Sequence, residues 1–141
     1  MANSLTDRLG YLLKHAQLRL SELTASAMEP YGINGRQCAV LAAIDDRVPQ
    51  SQQEVARRLG VDRTTMVGLI DELEEKGLVQ RRPAPDDRRK NVVALTDVGH
   101  DTLRNAAKAS AEAEQLFLAG VPESDRATFR RILRTIVVSG G

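Results

Sequence analysis

The run Ala84-Pro85-Asp86-Asp87-Arg88-Arg89-Lys90-Asn91-Val92 sets five consecutive charges between two stretches that read as short strands, LVQRR (78–82) and NVVALT (91–96). Guanidinium and ammonium groups massed at a hairpin tip suit one chemistry above others, the neutralisation of phosphate. A single extended arginine also suits a narrow A·T-rich minor groove, where negative potential concentrates. Asp87 stands two residues before Arg89, where a carboxylate can hold the arginine fork extended; bidentate pairing is its strong form. The expectation is therefore that Arg89 enters the groove, Asp87 supports it, Arg88 and Lys90 face phosphate or solvent, and Asp86 shapes the turn. The competing reading is a solvated turn with no partner.

A second set lies upstream in SQQEVARRLGVDRTTMVGLIDELEEKGLV, residues 51–79. Ser51 and Glu54 have the spacing of a capping box, which satisfies two amides at a helix start. Val55, Ala56 and Leu59 give that helix a short apolar face, and Gly60 ends it. Asp62 caps the next helix, with Val61 and Met66 spaced as a hydrophobic staple. Met66, Leu69, Ile70 and Leu73 form its buried face, and Gly77 with Leu78 makes a Schellman ending. Two short helices joined by a glycine turn are a helix-turn-helix, whose second helix reads base edges with its N-terminal residues. Those are Asp62, Arg63, Thr64 and Thr65, then Val67 and Gly68. Arg63 suits phosphate or guanine, and the threonines offer hydroxyls and methyls, a methyl suiting thymine. Gln52, Gln53 and Arg57, with Arg58, suit phosphates, as does Arg82 beside the tip. The acidic run Asp71–Glu75 repels phosphate, so the C-terminal half of this helix is expected to stay out of the groove.

The elements that carry these residues are mostly helical. Apolar residues recur at helical spacing from Leu5 to Ala27, with Ser4 and Asp7 as the expected cap and Pro30 and Gly32 as the stop. Asn34 precedes a shorter helix, GRQCAVLAAIDD (35–46). After the two-stranded hairpin, Thr96 caps a helix expected over 97–119, closed by Gly120, and a last helix runs from about 123 to 138. A helix-turn-helix followed by a hairpin has the layout of a winged helix. The fold expected is mainly α: a winged helix-turn-helix with a two-stranded wing over 34–95, and an all-helical dimerisation lobe from residues 1–33 and 96–141. The long helices carry more apolar surface than the small winged unit can cover. Leu5, Leu9, Leu12, Leu116, Phe117, Phe129, Ile132, Leu133 and Ile136 are the expected contacts with a second chain, in keeping with two-fold readers of DNA.

Composition narrows the function further. The 141 residues carry a net charge of only +1, yet Lys76–Lys90 holds six cations against two aspartates, +4, which leaves −3 for the rest. Attraction to nucleic acid must therefore be local. Four aromatic residues are too few for the stacking platforms of single-strand binders. No glycine-rich phosphate loop, zinc motif or nucleophile elbow occurs. Two histidines and one cysteine leave little for acid–base or covalent work, so neither an enzyme nor a cofactor nor a metal is expected. No apolar run approaches the roughly 20 residues of a bilayer span, no signal peptide is read at the N-terminus, and a lone cysteine suits a reducing cytoplasm.

Residues 59–99, LGVDRTTMVGLIDELEEKGLVQRRPAPDDRRKNVVALTDVG, resemble the MarR family of winged-helix transcriptional regulators. The matching positions are Lys76-Gly77-Leu78-Val79 at the end of the recognition helix, Asp87-Arg88-Arg89 in the wing, and Leu95-Thr96-Asp97-Val98-Gly99 after it. The resemblance implies a homodimer on palindromic double-stranded DNA, usually a repressor, released by a small phenolic or anionic effector or by thiol oxidation. It departs at Gly68, where many members carry an arginine, so their operator cannot be assumed. The resemblance also implies an effector site between the two lobes near the first helix. Tyr11 and His15, one turn apart, and Cys38 on the second helix are the candidates to line it. Alternatives are a packed Tyr–His pair, a core Cys38, a redox sensor working through Cys38, and an architectural or protein-binding winged helix without effector response.

Overall fold

The computed structural model describes residues 4–45 and 48–140. Its elements are α1 (Leu9–Met28), α2 (Gly35–Ile44), β1 (Gln50–Ser51), α3 (Gln52–Leu59), α4 (Arg63–Glu75), β2 (Val79–Pro83), β3 (Asn91–Leu95), α5 (Asp97–Phe117) and α6 (Glu123–Ser139). A 3-10 turn at Leu5–Asp7 precedes α1, and another at Glu29–Tyr31 follows it. The first helix thus starts four residues later than its apolar spacing suggests. Ser4 does not cap it: its hydroxyl donates to the Asp7 carboxylate at 2.9 Å, and Arg8, the residue before α1, is extended. The helix expected over 35–46 ends at Ile44, and Asp46 lies outside the described residues. The fifth helix ends at Phe117, two residues early, because the chain turns through Leu118, whose carbonyl accepts the Val121 amide at 2.9 Å.

The sheet has three strands in the order β1-β3-β2, all antiparallel. The wing proper is the pair expected, with Val79 opposite Leu95 and Pro83 opposite Asn91. The third strand, only Gln50–Ser51, pairs with Val93 and Val92. Two residues are too short for any alternation to announce a strand. The buried Gln50 sends its amide to the Ala43 carbonyl at 2.9 Å, and Arg58 donates to the same oxygen at 3.0 Å. That carbonyl is one of the α2 C-terminal acceptors left without a helical partner, and Gln50 and Arg58 supply its hydrogen bonds.

One core joins the elements. Met28 at the end of α1, Val40 and Leu41 of α2, Val55 of α3, Met66, Ile70 and Leu73 of α4, Val93 and Leu95 of β3, and Leu103 and Ala106 of α5 are buried together. The first helix packs along α5. In contrast, α6 touches the rest of the chain lightly and buries no residue.

Candidate nucleic-acid interface

Local bonds hold the helix-turn-helix in shape. Gly60 has φ 65 and closes α3 with a Schellman pair, its own N–H reaching the Arg57 carbonyl and Val61 N–H the Ala56 carbonyl at 3.0 Å. Asp62 then starts α4. One carboxylate oxygen accepts the Thr65 N–H and the other the Thr65 hydroxyl, both at 2.8 Å. These two bonds hold the exposed Asp62 carboxyl below the ordinary carboxylate range. The cap is therefore fully formed at neutral pH and is lost only as acid takes the pH down through that lowered value. The hydroxyl of Thr65 is engaged inside the protein, and Asp62 serves the helix start. Arg63, Thr64, Val67 and Gly68 are exposed along the same N-terminal half, and a side chain at Gly68 would meet open space.

The start of α3, the start of α4 and the wing enclose a cleft of about 470 Å³. Gln52, Gln53, Arg57, Arg63 and Lys90 line it together with Asn91 and Glu54, so the fold gathers five of the expected DNA contacts around one opening. The Glu54 carboxylate at the rim accepts the Ser51 N–H at 3.3 Å, and the Ser51 hydroxyl accepts the Glu54 N–H at 3.1 Å, completing the expected capping box.

Arg81 has a role that sequence spacing did not reveal. Its guanidinium meets Asp71 at 2.8 Å and Glu74 at 2.9 Å on the outer half of α4, and Gln52 at 3.0 Å. It clamps the wing onto the recognition helix, and two of the carboxylates expected to repel DNA are occupied by it. The positive field of the tip accordingly rests on Arg88, Arg89 and Lys90. Arg82, next along β2, points to the opposite face of the sheet, as strand alternation requires, where it lines a second cleft with Asp45 and His100. Replacing Arg81 by alanine is expected to lower stability by about 1–2 kcal/mol in urea titrations, with amide exchange rising first in β2 and β3. Uniform exchange across the chain would refute the clamp.

At the tip, Asp87 and Arg89 do pair, through a single guanidinium N–H. One Asp87 oxygen accepts both the Arg89 backbone N–H at 3.0 Å and its Nε at 3.4 Å. The two-residue separation makes an Asx turn that delivers Nε, so the hold on the arginine is through one oxygen and not the stronger bidentate form. The arginine side chain is 92% exposed against 31% for the aspartate, so the cation projects while its support is tucked in. The Ala84 N–H reaches the Lys90 carbonyl at 2.8 Å and closes the tip.

The three effector candidates are not brought to one place. Tyr11 and His15 stack with ring centroids 4.1 Å apart near the start of α1. Cys38 lies one turn into α2, whose first residue Gly35 faces Thr24 near the other end of α1. Burial pushes the Cys38 thiol above its ordinary pKa, which keeps it protonated and a poor nucleophile at neutral pH. Among the described residues no His, Cys, Asp and Glu cluster could hold a metal ion, and no helix is long and apolar enough to cross a membrane. Of the expected dimer contacts, Leu5, Leu9, Leu12, Leu116, Phe129, Ile132 and Ile136 are exposed, while Phe117 and Leu133 are half-buried.

A helix-turn-helix, a charged wing clamped to its second helix, and flanking long helices define a winged-helix DNA-binding regulator. Comparison with known proteins agrees. The MarR family model matches residues 31–90. The chain is 30% identical over 135 residues to the HTH-type transcriptional repressor NicR of Pseudomonas putida, covering 95% of this chain and 85% of that one. Its fold superposes on the transcriptional repressor CouR bound to a 23-mer DNA duplex with a TM-score of 0.88, at 34% identity and 97% coverage of both chains. It also matches CouR from Rhodococcus jostii RHA1 bound to p-coumaroyl-CoA, with a TM-score of 0.82, 31% identity, and 95% and 94% coverage. The chain belongs to the MarR family of transcriptional regulators and is not an enzyme.

Proposed function

We propose that the protein is a homodimeric repressor that binds palindromic operator DNA through α4 and the wing and leaves it on binding a small aromatic acid or its acyl-CoA thioester. The observation that carries the DNA mode is the placement of Arg57, Arg63 and Lys90 around one cleft beside the exposed N-terminal half of α4. Residues 34–95 form the reading lobe in this proposal, and 1–33 with 96–141 form the dimer lobe. The uncovered apolar side chains of α1 and α6 supply the contact with the second copy. Two reading helices then address half-sites about 34 Å apart.

For the effector, a cleft of about 420 Å³ between α1 and α2 is lined by Gln17, Ser21, Thr24, Asn34 and Arg36 over the apolar Leu20 and Ala25. An apolar floor with a guanidinium at its edge suits an aromatic ring bearing an anionic group. The relative CouR supplies the ligand class through its p-coumaroyl-CoA complex.

The test is selection of duplexes from a random-sequence pool, followed by gel shifts with and without p-coumaroyl-CoA and salicylate. A palindrome released by either ligand supports the proposal. Binding indifferent to sequence would support an architectural role instead. In the same assay Arg89→Ala is expected to weaken binding and to reduce the slope of log affinity against log salt by about one. An unchanged slope would return the tip to a solvated turn.

A further inference from the structure

We infer that Gln37 is the positioning residue that fixes how α4 is presented, and so governs operator specificity without touching DNA. The inference rests on α4 being the helix that reads base edges. Gln37 is 4% exposed, and both ends of its carboxamide are used. Its oxygen accepts the Asn34 N–H at 3.1 Å and the Lys76 ammonium at 3.3 Å, while its amide donates to Glu72 at 3.2 Å. Lys76 also donates to the Gly32 carbonyl at 2.6 Å. Glu72 and Lys76 lie one turn apart at the end of α4, whereas Gly32 and Asn34 form the junction between α1 and α2. One buried amide thus ties the outer end of the reading helix to the base of the first two helices.

The physical consequence follows from leverage. Moving the end of α4 would leave the buried Gln37 amide without its partners, which costs more than those bonds contribute when made, whereas the exposed Glu72 and Lys76 would be taken up by water. Thirteen residues span about 20 Å. A tilt of about 5° at the anchored end therefore shifts the N-terminal end by roughly 1.7 Å. Binding constellations tolerate displacements of only about 0.5 Å. Arginine and lysine contacts to phosphate adapt to such a shift, whereas base-edge hydrogen bonds do not. Loss of the anchor should accordingly remove sequence discrimination and leave general affinity for DNA.

The experiment compares wild type with Gln37→Leu, Gln37→Glu, Lys76→Met and the double variant Gln37→Glu with Glu72→Gln. Affinities are measured at one salt concentration for a duplex selected by the wild type and for a random-sequence duplex, alongside thermal unfolding. Gln37→Leu is expected to lose about tenfold on the selected duplex and little on the random one. Gln37→Glu removes the amide donor and sets a carboxylate against Glu72 while keeping the Lys76 contact, so it should lose part of the discrimination. Lys76→Met, which removes only the ammonium contacts, should lose part of the discrimination and covers the case of a poorly folding leucine variant. The double variant exchanges carboxylate and amide, restores every donor–acceptor match, and should recover the ratio. An unchanged ratio in folded Gln37→Leu and Lys76→Met overturns the inference. So does a parallel fall on both duplexes that tracks the melting temperature and is not rescued by the exchange. A wild type that selects no sequence overturns the operator reading itself, and the inference with it.

Discussion

Gly99→Ala is expected to lower folding stability by at least about 3 kcal/mol, a severe loss for a single methyl group. A Cβ at this position would lie 2.0 Å from the Leu78 carbonyl oxygen, 2.9 Å from its carbon and 3.4 Å from its Cα. All three are backbone atoms and cannot swing aside. Retreat of α5 is blocked by the bonds that seat it. The Thr96 N–H reaches the Leu78 carbonyl at 3.0 Å, and the Thr96 hydroxyl donates to the Gly77 carbonyl at 2.6 Å and accepts the Gly99 N–H at 3.0 Å. The Leu-Thr-x-x-Gly signature is thereby explained in full: a core leucine, a threonine that caps α5 and hooks the end of α4, and a glycine that lets the two meet. At an unstrained position Gly→Ala gains about 0.4–1 kcal/mol, so Gly10→Ala at the second residue of α1, where added atoms meet open space, is the control with opposite sign. Thermal unfolding followed by circular dichroism decides it. The Gly99 variant should melt about 10 °C or more below wild type, and an equal melting point would mean that the close approach is not maintained in solution.

Ile136→Glu is expected to turn the protein monomeric at micromolar concentration and to reduce operator affinity by about 10²–10⁴-fold, the advantage lost when two linked sites become one. Ile136 is 61% exposed in the single chain, and the helix that carries it has no buried residue. The monomer fold therefore has little to lose from the change. In a two-fold interface each substitution counts twice, and each buries a carboxylate where an isoleucine would contribute about 1.5–3 kcal/mol. Sedimentation velocity and gel shift on the selected duplex measure the two effects, with circular dichroism showing that the helices persist. A wild type that is itself monomeric on its DNA, or a variant that stays dimeric, would refute the proposed interface.

The two results divide along the line between what sequence encodes and what it does not. Ser51 with Glu54, Gly60, Asp62, Gly77 and Thr96 were legible as caps and stops because each acts through a bond to a residue a few positions away. Apolar spacing likewise marked the buried faces of α3 and α4, since a helix repeats its face every three to four residues. The cations of the helix-turn-helix and of the wing could be picked out by type and order, and the fold gathered Arg57, Arg63 and Lys90 around one cleft. The Asn34–Gln37 box follows the same rule, three residues apart before an apolar run.

Tertiary structure alone decided the rest, because it concerns groups that the chain brings together from a distance. Gln37 finds Glu72 and Lys76 across 35 and 39 residues. Arg81 reaches back to Gln52, Gly99 presses on Leu78, and Gln50 becomes a strand only because β3 lies beside it. None of these has a period or spacing to betray it. Even the apolar stripes of the long helices, plain in the sequence, did not say which would be covered: α1 lies along α5, while α6 keeps its isoleucines and valines in the open. Sequence determined which surfaces must avoid water, and only the packing of the chain determined which of them it could satisfy by itself.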